Sequence, residues 1–361
     1  MNSSKTDKIY SRAEALKQKN LYGRSLKLFG DALKEYSAAG DEAGALDCLM
    51  SIGDVCRMTG DFEMAEESYS GAIAVAKKLG DKVAVSDGLI NTGLSMRGRG
   101  DWANALKMFD RALKFYKKEE DKQGIAFTLW AAAGALRIKG DIPKAIDTYK
   151  DALGMFRKMR ARPATGYCLC GLGGTHRIAG LFKESLKYYS SANTLFTDLG
   201  DDFGKAYSYC GIGNAYRMQE DYKGALLNFG KASKIYNRIG DRVSYSYTLW
   251  SMGTTYKMLG KYEKAVPYFK TAMGFFRKTK DPRGVIYCLL GLGEIDLLKG
   301  RKKSAEKYFS VSVAEAKKFG FRVEGCHAAM LQAHLLGKPA PACHNRLGLK
   351  LAFSGAPFNL P

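Results

Sequence analysis

The sequence is poor in proline and in acidic side chains, and it has no long apolar run. Only 8 of its 361 residues are proline, so long uninterrupted helices are permitted. No stretch of 18 apolar residues occurs, which leaves no candidate membrane helix. Met1–Lys8 is polar and does not read as a signal peptide. Asp and Glu number 36 against 57 Lys and Arg, a net charge of +21. Such an excess favours solubility and anionic partners and says nothing of fold. Eight cysteines are scattered without the spacing of a disulfide framework, so a reducing, cytoplasmic setting is the expected one. Catalytic signals are missing too: there is no nucleophile–base arrangement, phosphate loop or paired-acid motif. Gly171-Leu172-Gly173-Gly174 falls inside a repeat register, so it is a poor phosphate loop. Neither enzymatic activity nor a cofactor is expected.

What is present is repetition. The sequence returns in register every 40 residues. One column reads Ala65, Ala105, Ala145, Ser185, Ala225, Ala265, Ala305. Four residues on stand Tyr69, Phe109, Tyr149, Tyr189, Phe229, Phe269, Phe309, and three further Ala72, Ala112, Ala152, Ala192, Ala232, Ala272. Steps of four and three place these on one helical face, where small residues admit a neighbouring helix and the aromatic fills the groove. A second helix precedes this one in each unit and carries Gly53, Gly93, Gly173, Gly213, Gly253 and Gly293, with Ala133 in the equivalent place. A mid-helix glycine costs about 1 kcal/mol relative to alanine, so its recurrence predicts tight helix crossing. Gly-Asp pairs such as Gly40-Asp41, Gly60-Asp61, Gly80-Asp81 and Gly100-Asp101 punctuate the units. Glycine ends one helix in a left-handed turn and aspartate caps the next.

The run Ile212-Gly213-Asn214-Ala215-Tyr216, followed by Asp221-Tyr222, Ala225, Phe229 and Ala232, resembles the tetratricopeptide signature almost position by position. The resemblance covers roughly residues 5–317. The units are longer than usual and lack the terminal proline, in which they resemble the repeats of Pins-type spindle-orientation adaptors. The implied fold is all-α: a right-handed α-solenoid of about eight helix pairs. Units are expected at about 5–37, 42–77, 82–117, 122–157, 162–197, 202–237, 242–277 and 282–317. A capping helix is expected at 322–336, because an open stack exposes its apolar face. The tail 337–361 holds four of the eight prolines and reads as irregular.

The resemblance also implies that the first helix of each pair lines the concave surface. Three columns there are candidates for partner binding. Phe127, Tyr167, Tyr207, Tyr247 and Tyr287 form one aromatic strip, with Trp130 and Trp250 three residues after Phe127 and Tyr247. Rings of this kind suit binding surfaces, although packing between adjacent first helices explains them equally well. The third column is a basic rail, Lys17, Arg57, Arg97, Arg137, Arg177, Arg217 and Lys257, ending at Leu297, suited to carboxylates or phosphates. Its structural explanation is pairing with Asp61, Asp101, Asp141 and Asp221, four residues beyond four of these arginines. Arg177 and Lys257 lack that partner. Asn214 resembles the asparagine with which family members hold a peptide backbone. Cys326, His327, Cys343 and His344 are a weak candidate for zinc, since their spacing matches no strong motif.

These columns favour an interaction scaffold that holds an acidic protein or peptide segment in its groove. Single-stranded nucleic acid is the alternative, because a cationic track beside aromatic rings suits stacked bases. Other readings are a receptor for a signalling peptide and self-occlusion by the apolar tail Leu349–Pro361. No membrane association is expected, and the oligomeric state is open.

Overall fold

The computed structural model describes residues 5–351, 353 and 355–361. Met1–Ser4, which begin the polar N-terminus, and Ala352 and Ser354 of the tail lie outside the described residues. The first helices of the pairs are α1 (Lys5–Gln18), α3 (Glu42–Thr59), α5 (Lys82–Gly98), α7 (Lys122–Lys139), α9 (Arg162–Ile178), α11 (Asp202–Met218), α13 (Arg242–Met258) and α15 (Pro282–Leu298). The second helices are α2 (Tyr22–Ala38), α4 (Phe62–Lys78), α6 (Trp102–Lys118), α8 (Ile142–Lys158), α10 (Phe182–Leu199), α12 (Tyr222–Ile239), α14 (Tyr262–Lys278) and α16 (Lys302–Phe319). Helix α17 (Arg322–Leu335) and the short α18 (Cys343–Arg346) follow.

Local chemistry sets the helix ends. Asp41 accepts a bond from the Gly44 amide at 2.9 Å, and Asp81, Asp201, Asp221 and Asp241 do the same for the amides of Ala84, Gly204, Gly224 and Ser244, each at 2.8 Å. Each satisfies an amide that the first turn leaves without a partner. Asp61 and Asp101 likewise cap α4 and α6. Gly60 closes α3 with φ +85°, a conformation that L side chains adopt only with strain.

The repeated columns form the core. Tyr69, Phe109, Tyr149, Tyr189, Phe229, Phe269 and Phe309 are all buried. Except for Tyr149, whose unit carries Ala133, each ring on a second helix lies against the glycine of its own first helix: a Cβ on Gly53 would stand 2.5 Å from Tyr69, and one on Gly213 would stand 2.6 Å from Phe229. The next unit closes the other side of the ring. A Cβ on Gly211 would stand 2.1 Å from Tyr189, and one on Gly291 would stand 2.6 Å from Phe269. An aromatic held between two glycine-bearing helices thus replaces the side chains those helices lack, and it brings adjacent units close together.

First helices touch the first helices of neighbouring units, while second helices pack along first helices on the outside of the coil. The first helices therefore form the inner wall of the solenoid. The wall curls until its turns meet: α3 touches α13 and α7 touches α17. The turn at Gly60 faces Thr279, the turn at Gly100 faces Phe321, and the turn at Gly140 faces Arg322 and Val323. The Trp102 indole N–H donates to the Phe319 carbonyl at 3.0 Å, and Lys280 pairs with Glu63 at 2.5 Å. The inner wall is thus wrapped around on itself, and its side chains share one interior.

Candidate functional site

The basic rail runs along this inner wall, and the structure explains how each member is held. A rail cation faces the residue 37 positions later, on the next first helix. Lys257 meets Glu294 in this way, and both side chains are almost fully buried. Arg97 and Arg137 meet glycine instead: a Cβ on Gly134 would stand 2.4 Å from Arg97 Nη1, and a Cβ on Gly174 would stand 2.6 Å from Arg137 Nη1. The middle of the rail therefore has no acid in the position that Glu294 fills at its end.

The consequences differ along the rail. Arg57 pairs with Asp54 at 3.6 Å and donates to the Tyr69 hydroxyl at 3.4 Å. Arg97 donates to the Ala131 carbonyl at 3.2 Å and lies over the Trp130 ring, 5.4 Å from its centroid. Burial first, with the charges of Arg137 and Arg57, pushes its guanidinium pKa down. Burial lowers the Arg137 guanidinium pKa, but the Tyr149 and Tyr207 hydroxyls outweigh it and the net direction is up; its Nε is buried with no hydrogen-bond acceptor. Arg177 has both Nε and Nη1 buried with no acceptor. Buried donors of this kind are rare in folded proteins, and each costs roughly 1–3 kcal/mol.

Arg217 is wholly buried, and burial and then the Arg177 charge disfavour its cation. The chain's own tail supplies its acceptors. Nη1 donates to Asn359 Oδ1, and Nη2 donates to the Leu360 carbonyl at 2.9 Å. Asn359 Nδ2 returns a bond to the Arg217 carbonyl at 2.8 Å. Lys257 donates to the Phe358 carbonyl at 2.8 Å, while Glu294 accepts from the Phe358 amide. The tail reaches this place from α18. On the way, Leu347 and Leu349 pack against Ile142, Ile178 and Val323, and the Lys350 amide donates to Ala179 O at 2.8 Å.

Several expectations are corrected here. Asp61, Asp101 and Asp221 do not pair with the arginines four residues before them, because their carboxylates cap helices; Asp141 lies 3.9 Å from Lys139. Lys257 has an acidic partner after all, in the next repeat. Asn214 is buried, and its Oδ1 accepts from Arg217 Nη2 at 3.1 Å, which orients the guanidinium that meets the tail. Much of the aromatic strip is spent on packing. Trp250 and Tyr287 are buried: the Trp250 indole donates to Tyr287 O at 3.3 Å and the Tyr287 hydroxyl donates to Glu324 at 2.9 Å. Tyr167 and Tyr247 donate to Asp201 and Asp281, the cap residues of the following first helices, at 2.7 and 2.6 Å. Phe127 remains exposed and is stacked on Trp130, and Tyr207 sits half-buried beside Arg97 and Arg137.

The cysteine–histidine candidates do converge, but as a cross-link. Cys326 and Cys343 form a disulfide with Cα atoms 5.8 Å apart, and His344 Nε2 lies 3.0 Å from His327 Nδ1. Three of the four, Cys326, Cys343 and His344, bring their ligand atoms within 4.8 Å of one another, and the disulfide departs from the expected reducing setting. The other six cysteines are free. The bridge ties the root of the tail to α17.

The family of known sequence that matches is the tetratricopeptide repeat, over residues 86–158, 164–238 and 247–278. The chain carries tetratricopeptide repeats. No curated protein matches the sequence. Among solved structures, a Rap protein complexed with competence and sporulation factor is similar with a TM-score of 0.61 at 15% identity, covering 96% of this chain and 99% of that one. The Rap conjugation gene regulator of plasmid pLS20, in complex with the Phr* peptide, gives 0.60 at 12% identity, with coverage of 91% and 93%. The apo quorum sensor NprR from B. thuringiensis gives 0.52 at 15% identity, with 92% of each chain covered. At these identities the likeness shows the fold, an all-helical tetratricopeptide solenoid. No helix among the described residues is long and apolar enough to cross a membrane.

Proposed function

We propose that this chain is a non-catalytic interaction scaffold whose inner wall holds an extended, acidic segment of another protein. The observation that carries the reading is the middle of the rail. Arg137 and Arg177 place three buried guanidinium nitrogens in the interior without acceptors, and Arg97 beside them faces a glycine. Carboxylates on a partner would supply the missing acceptors, each charge-assisted bond contributing about 1.5–3 kcal/mol. Phe127, Trp130 and Tyr207 give the same stretch apolar surface. Two of the structurally similar solenoids were solved with a peptide or factor bound, which agrees with a segment held by such a wall. Single-stranded nucleic acid is the poorer fit: a base-stacking strip needs free rings, and Tyr167, Tyr247, Trp250 and Tyr287 are engaged within the chain.

The test compares fluorescein-labelled peptides rich in Asp and Glu with neutral peptides and with single-stranded RNA, by anisotropy at 150 mM salt. Acidic peptides are expected to bind, and the double substitution Arg137→Gln, Arg177→Gln is expected to weaken them at least tenfold. Preference for RNA, or acidic binding indifferent to these two residues, would overturn the proposal.

A further inference from the structure

The tail contact has the composition of a recognition site, and we infer that it is one: the stretch of wall formed by Arg217, Lys257 and Glu294 binds an aromatic–Asn–aliphatic segment that turns at the asparagine, and residues 358–360 are a built-in competitor for it. This rests on the proposed function, in which the inner wall takes a segment from outside.

The geometry reads main chain and side chain separately. Glu294 and Lys257 pair with each other, and each keeps one further bond for a single residue of the tail. Glu294 takes the amide of Phe358 and Lys257 takes its carbonyl. A buried ion pair is here arranged to match the donor and the acceptor of one residue, whose carbonyl also takes the Leu360 amide at 3.1 Å. Without an occupant, both charged groups lose a partner where water is scarce, which is costly. Asn359 is read on both of its polar atoms, with its oxygen on Arg217 Nη1 and its nitrogen on the Arg217 carbonyl. Aspartate at that place would set an oxygen against a carbonyl, and leucine would leave a buried donor and acceptor bare. On either side of Asn359, Phe358 and Leu360 are each 4% exposed, and Phe358 stands edge-on to the His334 ring at 5.1 Å. The site thus specifies a large apolar residue, asparagine and a second apolar residue in that order.

Direction follows from the same contacts. Phe358 meets Lys257 and Glu294, and Leu360 meets Arg217, so the segment runs from the later repeats toward Arg177. Arg177 is the rail member with two bare nitrogens. A partner with an acid just beyond the aliphatic residue therefore gains contacts that residues 358–360 do not make, and it displaces the tail.

The test keeps the full chain. A labelled peptide Phe-Ser-Gly-Ala-Pro-Phe-Asn-Leu-Pro, the sequence of residues 353–361, is titrated into the unaltered protein and into two tail variants, Phe358→Ser and Asn359→Leu. A tethered competitor acts at an effective concentration of about a millimolar. The peptide is expected to bind both variants at least tenfold more tightly than the unaltered chain. A peptide with leucine in place of asparagine is expected to bind none of them, and one ending Asn-Leu-Glu is expected to bind more tightly still. Circular dichroism establishes that both variants keep their helices, and two independent variants guard against one that does not. Equal binding to all three chains, or none to any up to a millimolar, overturns the inference. If acidic peptides still bind through Arg137 and Arg177, the tail site alone has failed; if the tail peptide binds and acidic peptides do not, the proposed function has failed.

Discussion

Gly180 joins the repeat array to the tail, and replacing it tests that junction directly. Its φ is +84°, and a Cβ there would stand 2.2 Å from the carbonyl oxygen of Lys350. Gly260, the equivalent turn residue two units later, has φ +68° and nothing within 4 Å of its Cβ position. Alanine at either site bears the left-handed strain of about 1–2 kcal/mol. Only Gly180→Ala must also move backbone, since the obstructing atom belongs to the main chain. The bond from the Lys350 amide to Ala179 O, worth about 0.5–1.5 kcal/mol net, goes first. Leu349, 2% exposed, then loses its cover, at roughly 1.5–3 kcal/mol. The expected excess of Gly180→Ala over Gly260→Ala is therefore about 2–4.5 kcal/mol. Because a solenoid unfolds locally, the signal is best read near the junction. Trypsin cleavage at Lys350 is expected to accelerate at least tenfold in Gly180→Ala and to stay unchanged in Gly260→Ala. Equal destabilisation by the two substitutions, with Lys350 equally protected, would refute the claim that the tail packs on this turn.

Three further outcomes follow from particular contacts. Glu294→Gln is expected to cost about 3–5 kcal/mol by stranding the Lys257 charge, and the double replacement Lys257→Met, Glu294→Leu is expected to recover most of it; hydrogen exchange in α13 and α15 measures both, and simple additivity would rule out the pairing. His327 is pushed well below its ordinary pKa by burial first and then by His344 and Arg283, and His176 and His344 are lowered chiefly by burial. Groups with depressed basicity keep their full contribution above the unfolded value near 6.5 and lose it as pH falls, so Tm is expected to drop between pH 7.5 and 5.5, and His327→Phe should flatten that drop. Gly211→Ala is expected to destabilise by about 1–3 kcal/mol through the Tyr189 ring, whereas Gly154→Ala, on an open stretch of α8, should stabilise by roughly 0.5–1 kcal/mol; urea midpoints of opposite sign are the check.

The fold was legible because its signals are local and repeated. The alanine, aromatic and glycine columns report a helix–helix contact made within one unit and again with its neighbour, so each column carries the same message several times. The site was legible only as far as its columns. The rail of Arg57 to Lys257 and the facing column of Gly134, Gly174, Asn214 and Glu294 can both be read in the sequence. What pairs them is the stagger of adjacent first helices, a property of packing that puts a residue opposite the one 37 positions later. Without that offset, Asp61 and Asp101 look like partners of Arg57 and Arg97, though they cap helices, and Lys257 looks unpaired, though Glu294 meets it. The tail is the extreme case. Arg217 and Asn359 are 142 residues apart, and no periodicity relates them; only the curl of the inner wall and the bridge from Cys326 to Cys343 bring Phe358 to Glu294. The residues that break the repeat are therefore the informative ones. Where a column is uniform it describes the scaffold, and where it changes, from glycine at Gly134 and Gly174 to glutamate at Glu294, it marks where a rail cation has no acid on the next helix and where it has one.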